Sequence, residues 1–223
     1  MAMPVRKIRI EGKGAVSVKL DGPPRPSLCF VFAHGAGAGM DHPFMAAVAR
    51  GLAARGIGTL RFQFPYMEQG SKRPDAPAVA HATVRAAVAC AREALPRAAL
   101  IAGGKSFGAR MTSQAQAIEP LDGVRGLAFL GYPLHPSGKP SIERAAHLAD
   151  IRIPMLFLQG TKDKLAELPL LEPVVTKLGR RARLRLFADA DHSFHVPVRS
   201  GRTDAETLDG VLDVFASWSA KLV

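Results

Sequence analysis

The chain reads as an α/β protein: a doubly wound, mostly parallel sheet with an antiparallel hairpin at its N-terminal edge. Three observations predict this. From position 28 onward, short apolar runs alternate with stretches of helical period, the order that βαβ crossovers impose. Some runs are apolar without alternation, as strands covered on both faces must be. The first twenty residues instead alternate apolar and polar around Gly12 and Gly14, the pattern of a two-stranded ribbon.

The elements follow in order. Val5 to Ile10 and Ala15 to Leu20 form the hairpin, and Leu28 to Ala33 is the first fully buried strand. Pro43 to Ala54 has helical spacing and ends at Arg55-Gly56. Ile57 to Phe62 is a strand, followed by a polar, proline-broken loop from Pro65 to Pro77. Ala78 to Leu95 is a long amphipathic helix, Ala98 to Ala102 a strand, and Phe107 to Ile118 a helix stopped by Glu119-Pro120. Strands are expected at Val124 to Leu130, Met155 to Leu158 and Leu184 to Phe187, and helices near Ile142 to Leu148, Lys164 to Leu178 and Thr203 to Leu222. No internal repeat or long linker divides the chain, so residues 1–223 are expected to form one domain. The stretch from Tyr132 to Asp150 is the expected small excursion.

Composition narrows the function classes. Of the 223 residues, 48% are apolar and 22% charged, enough for a buried core and unlike a disordered chain. No apolar run reaches the ~18–20 residues a membrane span needs, and no apolar stretch follows the basic N-terminus as a signal peptide would require. Cys29 and Cys90 are too few for a disulfide framework and read as reduced core thiols, which suggests a cytoplasmic protein. The formal net charge of +11 would suit nucleic acid or an acidic partner. However, the basic residues are scattered, aromatics make up only 6%, and the densest cluster, Arg180 to Arg185, alternates like an exposed strand edge. Nucleic acid is therefore not an expected partner.

The chemistry sits just after strands. Gly104-Lys105-Ser106-Phe107-Gly108 is a G-x-S-x-G pentad between a strand and a helix. That context makes it a candidate nucleophile elbow, where the turn leaves no room for a Cβ at either glycine. The simpler alternative is a glycine-rich turn with a capping serine. A serine needs a base, and His192 follows the last strand at the same rim of the sheet, with His195 as its rival. His81 and His147 read as surface or packing residues. The base needs an orienting carboxylate, and Asp163 follows the strand at 155–158. Asp189 and Asp191 are rivals, disfavoured because a carboxylate so near in sequence would have to fold back to reach Nδ1. The order Ser106, Asp163, His192 differs from both protease orders. Ala33-His34-Gly35-Ala36-Gly37-Ala38-Gly39 supplies a small-residue loop for an oxyanion hole, with the amides of Ala36 and Phe107 as expected donors. As a dinucleotide loop it fails. Its third glycine comes one position early, and Arg61, Phe62, Gln63 and Phe64 stand where an acidic residue belongs.

With these motifs in place, the sequence resembles the α/β-hydrolase superfamily along nearly its whole length. It is most similar to the small, lid-poor members: the dienelactone-hydrolase-like proteins and the hydrolase-like domain named for testis-expressed protein thirty and the third NSL-complex subunit. The residues that carry the likeness are Ala33 to Gly37, Met40 to Met45, Gly103 to Arg110, Gly131 to Leu134, Gln159 to Asp163 and Asp191 to Phe194. The resemblance implies an α/β-hydrolase fold without a large cap and the roles already assigned to Ser106, Asp163 and His192. The sequence departs from the dienelactone hydrolases themselves at the nucleophile, which is Cys there and Ser106 here.

The expected activity is cleavage of a small ester or thioester through an acyl-enzyme, with no metal or cofactor required. The alternative is a hydrolase-fold binding or scaffold protein with an idle triad. The expected partner is a small acyl substrate, and the chain is expected to be a monomer or small homo-oligomer. His34, Phe64, Tyr66, Lys105, Tyr132 and Leu134 are the expected pocket wall. Lys105 and Arg110 are placed either to favour an acidic acyl group or to pair with Asp41 or Glu68.

Overall fold

The computed structural model describes residues 5–223; positions 1–4 lie outside them. Eight strands among the described residues form one sheet: β1 (Arg6–Ile10), β2 (Gly14–Asp21), β3 (Leu28–Ala33), β4 (Gly58–Phe62), β5 (Ala99–Lys105), β6 (Val124–Leu130), β7 (Met155–Gly160) and β8 (Ala182–Phe187). Their order is β1-β2-β4-β3-β5-β6-β7-β8. The β1–β2 and β2–β4 pairs are antiparallel, and every pair from β4 to β8 is parallel. The expected architecture is therefore present, including the N-terminal edge ribbon.

The helices are α1 (Pro43–Ala54), α2 (Pro65–Glu68), α3 (Pro77–Ala94), α4 (Phe107–Ile118), α5 (Leu168–Leu178) and α6 (Asp204–Ser219). They cover both faces, which explains the unbroken apolar strands. In β3, Cys29, Val31 and Ala33 join one core with residues of α3, α4 and α5. Leu28, Phe30 and Phe32 join the other with Met45 and Leu52 of α1 and Phe215 and Trp218 of α6. Six consecutive apolar residues thus serve two cores by simple alternation. The edge strand β8 differs: Arg183 and Arg185 are exposed, and charge on a free edge discourages pairing with another sheet.

Three expectations shift. The loop after β4 contains the one-turn helix α2, started by Pro65, whose fixed φ suits a first helical turn. The helix expected near 142–148 is a 3₁₀ segment, Glu143–Asp150. That segment is the only helix between β6 and β7, so no large cap covers the sheet. The helix expected from Lys164 starts at Leu168, because Asp163 Oδ1 accepts the Leu165 amide at 2.8 Å and draws the preceding residues into a turn.

The chain leaves β3 toward β4 on one side and later returns to β5 on the other, so β3 and β5 flank a topological switch point. Crevices form at the carboxyl ends of strands at such a point. The β5–α4 turn there is closely packed. A Cβ on Gly104 would lie 2.6 Å from Ala33 O, and one on Gly108 would lie 2.5 Å from the same oxygen. Both clashes are with backbone, which cannot swing aside. Gly108→Ala is therefore expected to destabilise the fold by about 3 kcal/mol, the upper end for overpacking, read as a lower urea midpoint at unchanged slope.

Candidate active site

The β5–α4 turn holds Ser106 at φ 51° and ψ −113°, a left-handed backbone uncommon for any residue but glycine. Its neighbours fix it there: Ser106 N donates to Leu130 O at 3.3 Å, while α4 begins at Phe107 and points its N-terminus at the hydroxyl. The first amides of a helix have no partner within it, and they favour nearby negative charge.

Two other strand ends meet this hydroxyl. His192 Nε2 lies 2.8 Å from Ser106 Oγ, and His192 Nδ1 lies 2.6 Å from Asp163 Oδ2. The Asp163 side chain is fully buried, whereas that of His192 is 23% exposed. A carboxylate held away from water on Nδ1 fixes the tautomer whose Nε2 can accept a proton from the hydroxyl. Asp163 is itself oriented: Gln159 Nε2 donates to Oδ2 and Leu165 N to Oδ1. Gln159 also accepts the Tyr132 amide at 2.9 Å. It escaped the sequence reading, although its place at the end of β7, four residues before Asp163, was a usable signal. The rivals are engaged elsewhere. His195 is exposed and meets Asp204 at 2.9 Å, and Asp191 Oδ1 accepts the Ser193 and His195 amides. Asp189 takes a left-handed turn at φ 60°.

The loop after β3 is tied from below. Arg61 is almost wholly buried, pairs with Asp21 at 2.8 Å and donates to Met40 O at 2.7 Å. Gln63 Oε1 accepts the Met40 amide at 2.7 Å. These two occupy the positions that counted against a dinucleotide site, and they serve to hold this loop. Ala36, at its tip, borders the same cavity as Ser106 and Phe107.

That cavity, about 430 Å³, is lined by a different set of residues from the expected wall. Arg110, Met111, Pro133, His135 and Arg144 line it together with Asp75. His34, Phe64, Tyr66, Lys105, Tyr132 and Leu134 do not. His34 is fully buried; its Nδ1 donates to Gly35 O at 2.8 Å and its Nε2 accepts the Phe64 amide at 3.1 Å. Burial drives its pKa down to about 4, so the ring stays neutral as those bonds require. Tyr66 turns its hydroxyl to accept the Gly37 amide at 3.0 Å. Tyr132 is enclosed and donates to Arg144 O at 2.8 Å. Phe64 and Leu134 pack in the core. These side chains pack behind the loops that border the cavity.

Lys105 also faces away from the cavity. Its Nζ donates to His192 O at 2.6 Å and sits 5.9 Å from the ring centres of both Phe44 and Phe194. Burial lowers its pKa to about 8, with Asp163 and Asp191 opposing the shift. The expected pairing with Asp41 or Glu68 does not form; Asp41 meets Lys19 and Arg61, and Glu68 meets Lys7. Lys105 thus ties the end of β5 to the loop that carries His192. Lys105→Met leaves the His192 carbonyl without this donor, a loss expected to cost ~1–3 kcal/mol. Faster amide exchange across residues 189–196, with a lower denaturation midpoint, is the expected result; unchanged exchange there contradicts the role.

The fold agrees with comparisons to known proteins. A family model described as an alpha/beta hydrolase domain matches residues 26–220. An α/β serine hydrolase homologue from Coxiella burnetii superposes with a TM-score of 0.76 at 19% identity, covering 95% of this chain and 96% of that one. A serine hydrolase without a lid from Xanthomonas campestris gives 0.71 at 19% identity, with 95% and 94% covered. A dienelactone hydrolase from Anabaena variabilis gives 0.77 at 19% identity, with 99% and 97% covered. Identities this low speak for the fold alone, and the family match extends over most of the sequence: the chain belongs to the α/β-hydrolase domain family.

Proposed function

We propose that this hydrolase is a serine-dependent esterase or thioesterase. The observation that carries the reading is the hydrogen-bonded chain from Ser106 Oγ through His192 to the buried Asp163 carboxylate. In this account Ser106 Oγ attacks the acyl carbonyl and its proton passes to His192 Nε2. Asp163 stabilises the imidazolium, and the amides of Phe107 and Ala36 receive the charge on the carbonyl oxygen. The carbon–oxygen or carbon–sulfur bond then breaks, and the leaving group takes the proton from Nε2. Water, deprotonated by His192, attacks the acyl-Ser106 ester and releases the acid. No step calls for a metal or cofactor.

The shape of the site supports a small substrate, since no capping domain encloses the 430 Å³ cavity. No helix among the described residues is long and apolar enough to cross a membrane. The two cysteines, unpaired with Cys29 buried, suit a reducing compartment such as the cytoplasm.

A fluorophosphonate probe tests the reading directly. Covalent labelling and p-nitrophenyl acetate hydrolysis are both expected for the native protein, and both are expected to vanish in Ser106→Ala apart from residual catalysis ~10³–10⁴-fold over water. Undiminished labelling of Ser106→Ala contradicts the nucleophile. An unlabelled native protein favours a binding role instead.

A further inference from the structure

Two arginines border the cavity that holds Ser106, and neither has a carboxylate within ion-pair distance among the described residues. The ion pairs there engage Arg55, Arg61, Arg85 and Arg92, while Arg110 and Arg144 stand outside them. Arg110 lies one turn along α4 from the hydroxyl, with its guanidinium carbon 6.0 Å from the centre of the Phe107 ring. Its Nε is buried and meets no acceptor. Arg144 enters from the 3₁₀ segment Glu143–Asp150, and its backbone is fixed by the Tyr132 hydroxyl. The two like charges are close enough to disfavour one another. Two partly buried guanidiniums with a desolvated donor, and no anion of the protein's own between them, are unfavourable unless something else supplies the acceptor.

The other polar groups on the wall do not fill that need. The Asp75 carboxylate accepts the Tyr66 amide at 2.9 Å, and His135 faces Glu167 at 2.6 Å. The chain's +11 charge also draws anions toward the molecule. Building on the serine-hydrolase reading, we infer that the substrate is an ester or thioester bearing a carboxylate, held by Arg110 and Arg144 beside the reacting carbonyl. Guanidiniums suit this task because their fork of N–H donors matches the two carboxylate oxygens. The carboxylate can belong to the acyl group or to the leaving group.

Two pairs of probes separate those sources, each setting a carboxylate against its methyl ester. On the acyl side, p-nitrophenyl hemiglutarate is compared with its methyl ester. On the leaving-group side, 4-carboxyphenyl pentanoate is compared with its methyl ester. After spontaneous hydrolysis is subtracted, the acid is expected to exceed its methyl ester in kcat/KM by about tenfold or more in one pair, as a charge-assisted contact provides. That ratio should shrink as salt rises. It should collapse toward one in Arg110→Met and in Arg144→Met. A ratio at or below one in both pairs overturns the inference, as does a preference that both variants retain. If a variant fails to fold, the native ratios and their salt dependence decide alone. Fluorophosphonate labelling keeps the two readings apart. A labelled protein without charge preference overturns only this inference, whereas a protein that is neither labelled nor active overturns the hydrolase reading beneath it.

Discussion

The site depends on one close approach of backbone to backbone. Where β5 gives way to α4, Gly104 and Gly108 pass so near Ala33 O that neither could carry a side chain. This contact fuses the nucleophile turn to the end of β3, and the candidate oxyanion loop starts one residue later. Strain at Ser106, of order 1–3 kcal/mol for such a backbone conformation, is tolerable because the packed strands and helix on either side leave no alternative. The hydroxyl therefore stands clear of the sheet with the helix amides beside it.

Around that turn the polar groups are arranged so that each is satisfied by a neighbour that also positions something. Asp163 receives hydrogen bonds from Gln159 and Leu165 while it holds His192. His34, kept neutral, links the loop after β3 to the one after β4. Arg61 stitches β2 to that same loop through Asp21 and Met40 O. Buried polar networks that are fully satisfied rigidify what they connect. Here they connect the ends of β2, β3, β4 and β7, so the reacting geometry does not rest on any single loop. Arg110, whose buried Nε meets no acceptor, is an exception, and it borders the cavity.

Much of this was legible in the sequence, for a specific reason. In a parallel α/β sheet every strand ends at the same rim, so a residue just past an apolar run is placed there whatever the rest of the chain does. Ser106, Asp163 and His192 are all such residues, and their contacts follow. The expected wall residues lie off that cavity because the direction of a side chain at a strand end depends on the turn. At Tyr132 the preceding Gly131, at φ 70°, turns the chain so that the ring enters the core. For Lys105 the signal existed: alternation along β5 puts Ile101 and Lys105 on the α1–α6 face, opposite α4. Arg144 and His135 lie in the excursion between β6 and β7, whose path no periodicity encodes. The buried role of Arg61 was hidden because an arginine in a strand reads as an exposed face.

The central claim is that the hydroxyl at 106 and the imidazole at 192 act as one unit. Rates for an activated ester measured on Ser106→Ala, His192→Ala and the doubly substituted protein test it most directly. If the two groups share a single proton transfer, all three variants fall to about the same residual rate, because the second substitution removes nothing further. Losses that multiply, so that the double variant falls below the native rate by the product of the two single effects, would mean that the two side chains work independently and that the account is wrong.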